Sequence, residues 1–231
     1  MTKYKVSVKI EKMEKIIGII VALHKEAENV ITKTNANIEP AKNGKKIFTG
    51  TIKSHRFVLI ESGIGKVNAA LSAQYLIDNF PIDYIINFGS VGGISGKTET
   101  LEFYRVEKCC QYDFDLSAID NVSVGYIQDY DSVYFYPNTD KLSFLKPANL
   151  ATSDRFTEKQ TDVDTVSDLG CNIFDMEGGA IAQVCTANNI PFYMFKGVTD
   201  IHGSWNDEKT FYRNLKAVCN GFYDILIKIF D

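Results

Sequence analysis

Apolar and polar positions along the chain switch repeatedly between a strand-like and a helix-like period. "KIIGIIVAL" (15–23) is a β-rich apolar run, and the charged segment from His24 to about Thr34 suits a helix, so a buried strand followed by a helix is expected. Residues 46–62, "KIFTGTIKSHRFVLIES", read as two strands around a turn at Lys53 to His55. Val67, Ala70, Leu71 and Tyr75 mark one face of a helix that ends before Pro81, and "IDYIINFGS" (82–90) is an apolar strand ending in glycine. Strand, helix, strand in this order predicts a mainly parallel sheet covered on both faces.

From Leu101 to Tyr136 the chain is rich in aromatics and aspartates; strands are expected at 101–108 and 122–127, with an exposed loop, "QYDFDLSAID", between them. A helix near 158–168 and a strand at 171–174 lead into "FDMEGGAIAQVC" (174–185). There Ile181, Val184, Cys185 and Asn188 fall at the i, i+3, i+4, i+7 positions of one helical face, placing a helix start near Glu177. "IPFYMFKGVTD" (190–200) is a further buried strand, and 208–230 a closing helix. The order is α/β throughout: a single domain over residues 15–231 whose mixed, mostly parallel β-sheet is flanked by helices on both faces. A charged extension, residues 1–14, precedes it. Tyr4, Val6, Val8 and Ile10 alternate as an edge strand would, while Met13 offers an alternative start, so an extra strand and a dispensable leader both stay open.

Composition narrows the function classes. With 231 residues, 45% hydrophobic and 23% charged, the chain suits one soluble globular domain. A net charge of -4, without basic clusters interleaved with aromatics, speaks against a nucleic-acid partner. Five cysteines, odd in number and without a C-x-x-C pair, suggest buried reduced thiols. His24, His55 and His202 stand at no metal-ligand spacing. Apolar runs fall short of the ~20 residues that span a bilayer, and the first fifteen residues lack a signal-peptide core. No membrane partner and a cytoplasmic, thiol-reducing location are expected.

Ligands of parallel α/β sheets bind at the carboxyl ends of the strands, so polar residues just after apolar runs are the candidates. Four places qualify: Glu26, Ser90 with Gly92 and Gly93, Glu177, and Asp200. Each alone has an ordinary structural explanation. An acid at a helix start meets the helix dipole, Asp200 suits a turn or cap, and glycines after a strand make a bend. "SGIGKVNAA" has the look of a phosphate loop, but that motif needs glycine at 60 and serine or threonine at 67, where Ile60 and Val67 stand. Neither G-x-G-x-x-G nor G-x-S-x-G occurs.

Taken in order, "IGIIVALHKEAE", "SGIGKVNAA", "INFGSVGGI", "DMEGGAIAQVC" and "FKGVTDIHG" resemble the 5'-methylthioadenosine/S-adenosylhomocysteine nucleosidases, within the purine nucleoside phosphorylase-like superfamily. The resemblance implies hydrolysis of the N-glycosidic bond of 5'-methylthioadenosine, S-adenosylhomocysteine or 5'-deoxyadenosine, releasing adenine with no metal or cofactor. It makes Asp200 the general acid that protonates adenine N7, its pKa raised by burial beside Phe195 and Val198, and Glu26 the base that activates water, with Ser90 beside it. Glu177 would grip the ribose hydroxyls, Met176 pack on the ribose, Gly92 admit the ligand to the backbone, Phe156 stack on adenine and the Thr157 backbone read its edge. Phe211 would line the thioether pocket, and Thr199 replaces a common serine.

Three departures bear on the site: Leu23, His24 and Lys25 precede the base where methionine and two acids are usual, Lys196 replaces an arginine that braces the sugar-binding glutamate, and Gly179 replaces a larger residue. A homodimer is implied, with "QYDFDLSAID" as the loop that closes a partner's pocket. A phosphate-dependent phosphorylase, a non-catalytic nucleoside-binding protein and a hydrolase of aminodeoxyfutalosine-like nucleosides remain as alternatives.

Overall fold

A computed structural model describes residues 15–40, 44–202 and 208–230; the extension, with its expected edge strand, and part of the loop after His202 lie outside them. The elements in order are β1 (Ile16–Val21), α1 (His24–Thr34), β2 (Asn37–Glu39), β3 (Lys46–Ile52), β4 (His55–Glu61), α2 (Lys66–Asn79), β5 (Ile82–Gly93) and β6 (Phe103–Gln111). There follow a single-turn α3 (Ser117–Asp120), β7 (Lys146–Thr152), α4 (Gln160–Asp168), β8 (Ile173–Asp175), α5 (Gly178–Ala187), β9 (Phe192–Ile201) and α6 (Glu208–Lys228).

The strands form one mixed sheet in the order β2-β3-β4-β1-β5-β8-β7-β6-β9, and β9 returns to pair with β5. Five pairings are parallel and four antiparallel. β5 is the hub. Its first half lies between β1 and β9, and its last two residues, Gly92 and Gly93, pair with Phe174 and Ile173 of β8. Strands β5, β8, β7, β6 and β9 thus close into a ring, from which β1, β4, β3 and β2 extend as an open wing.

Every residue of β1 is buried because helices cover both faces of the sheet at that point. On one face α2 and α5 set Ala69, Ala73, Leu76, Ile181 and Ala182 against Ile20, Ile60 and Ile85. On the other, α1 and α6 set Ala27, Val30, Phe222 and Leu226 against Ile19, Leu59, Ile86 and Phe88. A third cluster lies under α4, where Val163 and Val166 meet Cys110, Ala151, Cys171 and Phe174.

The structure departs from the sequence expectations at several points. Residues 122–127 form no strand: Gly125 sits at φ 80°, its N–H bonds to Phe114 O, and the Tyr126 N–H turns back to Ser123 O. Only Ile127 bridges, to Ser132. β5 does not end at a glycine bend but continues through Gly92 and Gly93, with a register shift against β9 between Val91 and Gly92. "QYDFDLSAID" begins inside the fold, since Gln111 closes β6 and Tyr112 is buried. On α2 the expected face is divided: Val67 and Leu71 are 69% and 58% exposed, Ala70 and Tyr75 pack partly against the core, and Ala69, Ala73 and Leu76 are fully buried. β2 and β7 were not anticipated at all. Among the described residues no helix is long and apolar enough to cross a membrane.

Candidate active site

The ends of β1, β8 and β9 and the second half of β5 surround one cavity, with Ile64 after β4, Arg155 to Thr157 after β7, and Phe211 of α6 completing its wall. Every candidate drawn from the sequence except Gly93 lines it: Glu26, Ser90, Gly92, Phe156, Thr157, Met176, Glu177, Thr199, Asp200 and Phe211. Three acids far apart in the chain meet there because their strands lie side by side. Their surroundings differ.

Glu26 sits in the first turn of α1 and is 2% exposed. Its Oε2 accepts the N–H groups of Ala22 and Leu23 at 3.1 and 3.0 Å, and its Oε1 accepts the N–H and the hydroxyl of Ser90, both at 2.8 Å. All four partners are donors, the set an acceptor-only carboxylate satisfies. Its ordinary role at the helix start is therefore real, and the cavity-facing one is added to it. Gly89 leaves the room: a Cβ there would stand 3.2 Å from Glu26 Oε1. The changed charge before the base is diverted from the cavity, since His24 Nδ1 turns to Glu61 Oε1 at 2.5 Å and Lys25 lies over the Tyr212 ring.

Asp200, next to last in β9, is half-buried, and burial raises its pKa from the ordinary 3.8 against the lowering influence of Thr199 and His202. The Thr199 hydroxyl lies 2.6 Å from Asp200 Oδ1 and 3.2 Å from Val91 O. One hydroxyl proton serves only one of the two.

Glu177 is 9% exposed, and its Oε1 accepts the Gly65 N–H at 2.8 Å. Burial first, and then the negative charge of Asp175, raise its pKa to about 7, opposed by the Gly65 N–H and by Lys196.

The side chain that caps α5 is that of Asp175. Its Oδ2 accepts the Gly178 N–H and Lys196 Nζ, both at 2.9 Å; its Oδ1 accepts the Thr152 hydroxyl at 2.6 Å and the Glu177 N–H at 3.3 Å. Thr152 Oγ1 in turn accepts the Gly179 N–H. Lys196 therefore braces Asp175 in an ion pair that is almost wholly buried, and acts on Glu177 through space. Sequence reasoning passed over Asp175. The available signal was an acid three residues before a glycine at a helix start, the spacing of a side-chain cap.

The glycines are explained by protein packing. A Cβ on Gly92 would fall 2.2 Å from the Phe174 ring, so packing against Phe174 already requires glycine there, while the residue also lines the cavity. Gly178 and Gly179 bring α5 down onto β6 and β7, where side chains would strike Leu150 and the Cys110 carbonyl. "SGIGK" holds acids instead of phosphate: besides Gly65 on Glu177, the Lys66 N–H meets Asp154 Oδ1 and Lys66 Nζ meets Asp113 Oδ1, each at 2.7 Å. Phe156 stands 54% exposed at the mouth, and the Thr157 hydroxyl is taken up by Tyr112, which leaves its backbone to face the cavity. No group of three or more His, Cys, Asp or Glu is placed to hold a metal ion among the described residues. All five cysteines are buried free thiols.

Comparison with known proteins adds the following. The family model of the phosphorylase superfamily matches residues 16–228. A 5'-methylthioadenosine/S-adenosylhomocysteine nucleosidase of Buchnera aphidicola subsp. Acyrthosiphon pisum (strain Tuc7) is 34% identical over 197 residues, covering 80% of this chain and 84% of that protein. Among solved structures, the nucleosidase of the same name from Colwellia psychrerythraea 34H, in complex with adenine, superimposes with a TM-score of 0.84 at 26% identity over 93% of this chain and 94% of that one. The futalosine hydrolase of Helicobacter pylori strain 26695 reaches 0.85 at 20% identity over 94% and 97%, a likeness of fold alone.

Proposed function

This chain belongs to the 5'-methylthioadenosine/S-adenosylhomocysteine nucleosidase family of the phosphorylase superfamily, and we propose that it hydrolyses the N-glycosidic bond of 5'-methylthioadenosine, S-adenosylhomocysteine and 5'-deoxyadenosine to release adenine. The observation that carries the reading is the convergence of Glu26, Glu177 and Asp200 on one cavity in three unlike environments. Cleavage sets three tasks: adenine leaves readily only when protonated, the sugar passes through a cationic oxocarbenium-like state, and water must reach the anomeric carbon.

Asp200, held toward its neutral form by burial, donates the proton to the leaving base. Glu177 accepts the ribose hydroxyls with the lone pairs that Gly65 leaves over, and its ionised form steadies the cationic sugar. Glu26 takes the proton of the attacking water. Of its four donors only the Ser90 hydroxyl rotates freely, so that bond is the one that yields a lone pair to the water. Phe156 supplies the stacking face for adenine, the Thr157 backbone its edge contact and Met176 the ribose contact, while Ile64 and Phe211 offer an apolar wall to the 5'-substituent.

A phosphorylase would need fixed cations for phosphate. Arg155, the arginine in the cavity wall, is paired with Asp162 at 2.9 Å, which favours water as the nucleophile. The exposed Ile64, Val67 and Leu71 run from the cavity mouth along α2, an apolar strip that suits a second copy of the chain. Light scattering is expected to give twice the 25.9 kDa chain mass.

The deciding experiment incubates the purified protein with each nucleoside in phosphate-free buffer and follows adenine. Release without phosphate is expected. Release only on adding phosphate would make it a phosphorylase, and tight nucleoside binding without release would make it a binding protein.

A further inference from the structure

The five buried thiols take no part in this chemistry, and two of them stand apart from the rest. Cys110 lies in β6 and Cys171 in the turn between α4 and β8, and their sulfurs share a hydrogen bond at 3.7 Å. Both are at most 1% exposed. A disulfide needs about 2.05 Å between sulfurs, so closing the pair takes a relative shift of about 1.7 Å. Cys171 has the freedom to supply it: the residue belongs to no strand or helix and follows Gly170, which stands at φ 63°. Cys110, paired in its ladder with Ala151, can remain in place.

Access and reactivity point to the same cysteine. Cys171 lines a recess with Lys97, Asn149 and Gly170, at the opposite end of β7 and β8 from the acids. The hydrogen bond from Cys110 holds the Cys171 thiol below its ordinary pKa, with help from the charges of Lys108 and Lys97, whereas the same bond and burial push Cys110 up. The other thiols lack such support. Burial raises Cys185 and Cys219 to about 12, and it pushes Cys109 well up too.

We propose that Cys110 and Cys171 form an oxidisable dithiol, which hydrogen peroxide or another small hydroperoxide closes to an intrachain disulfide and which a dithiol reductant reopens. The Cys171 thiolate attacks one peroxide oxygen, the O–O bond breaks, and the hydroxide released takes up the proton that Cys171 gave up, leaving a sulfenic acid and one water. The Cys110 sulfur then displaces hydroxide from the Cys171 sulfur; the S–S bond forms as the S–O bond breaks, and the Cys110 proton leaves with the hydroxide as a second water. Two thiols are oxidised and one peroxide is reduced to two waters.

The test uses the native full-length chain and a readout independent of the nucleosidase reading. After hydrogen peroxide treatment, thiols are counted in denaturant and peptides are mapped without reduction. Free thiols are expected to fall from the five in the sequence to three, with one cross-linked peptide pair joining residues 110 and 171, and dithiothreitol should restore all five. Cys109→Ser should keep the cross-link, which separates it from its neighbour. Cys110→Ser should leave a dimedone-reactive sulfenic acid at Cys171. Retention of all five thiols, a cross-link through Cys109, Cys185 or Cys219, or first oxidation at one of those three would overturn the proposal.

Discussion

Glu177→Gln should make the protein more stable while removing its activity, and the gain should depend on pH in a defined direction. A carboxyl whose ordinary pKa of 4.5 stands at about 7 in the folded chain binds its proton more tightly folded than unfolded. Between those two values the folded state holds the proton that the unfolded state has lost. Its contribution to stability is therefore fully present below about 4.5, and declines as pH rises to about 7. At ~1.36 kcal/mol per tenfold change in proton affinity, the ionised folded protein gives up about 3 kcal/mol. Glutamine is nearly isosteric, keeps an oxygen for the Gly65 N–H, and carries no charge beside Asp175. Urea unfolding of both proteins at several pH values measures the difference directly. The variant should be ahead by about 3 kcal/mol near pH 8.5, and by little near pH 4.5. A difference that does not change with pH would refute the idea that a buried, poorly compensated charge sits at 177.

Other perturbations test separate parts of the structure. Asp200→Asn and Glu26→Gln should each lower turnover at least ~100-fold with folding intact by circular dichroism, in line with general acid–base contributions; near-normal rates would remove the roles assigned to them. Lys196→Met leaves Asp175 buried without its cation, and should cost about 3–5 kcal/mol in urea unfolding; a loss under about 1 kcal/mol would show that the three hydrogen bonds left to Asp175, from Thr152, Glu177 and Gly178, suffice. Gly92→Ala forces a methyl onto the Phe174 ring and should cost about 1–3 kcal/mol. Adding Phe174→Leu should recover part of that loss in thermal melts, and purely additive losses would count against the contact.

Which elements can be read from sequence follows from what buries them. β1, β5 and β9 lie between helices or in the closed ring, so their apolar runs are nearly unbroken and locally legible. β7 is equally internal, yet Lys146, Pro147 and Asn149 interrupt it, and its small buried residues are shaped by the approach of α5, a fact found nowhere in the segment itself. On α2, Val67 and Leu71 point outward because the inner side carries the small residues Ala69, Ser72 and Ala73, with Leu76, to fit against α5. The cavity acids were legible because each follows a strand. Asp175 was hidden by its neighbour, and Gly65 by a motif that suggested phosphate; both are fixed by contacts from 112 residues away or by the first turn of a helix not yet placed.

The two acids flanking Met176 have a practical consequence for redesign. Residue 175 anchors a helix and turnover depends on residue 177, so diversity belongs at 64 and 211 of the cavity wall, where it can reshape what the protein accepts without undoing its architecture. A library randomised at 175 would instead spend its members on unfolded chains. Selectivity in this scaffold is thus adjustable at apolar wall positions that leave all four acids in place.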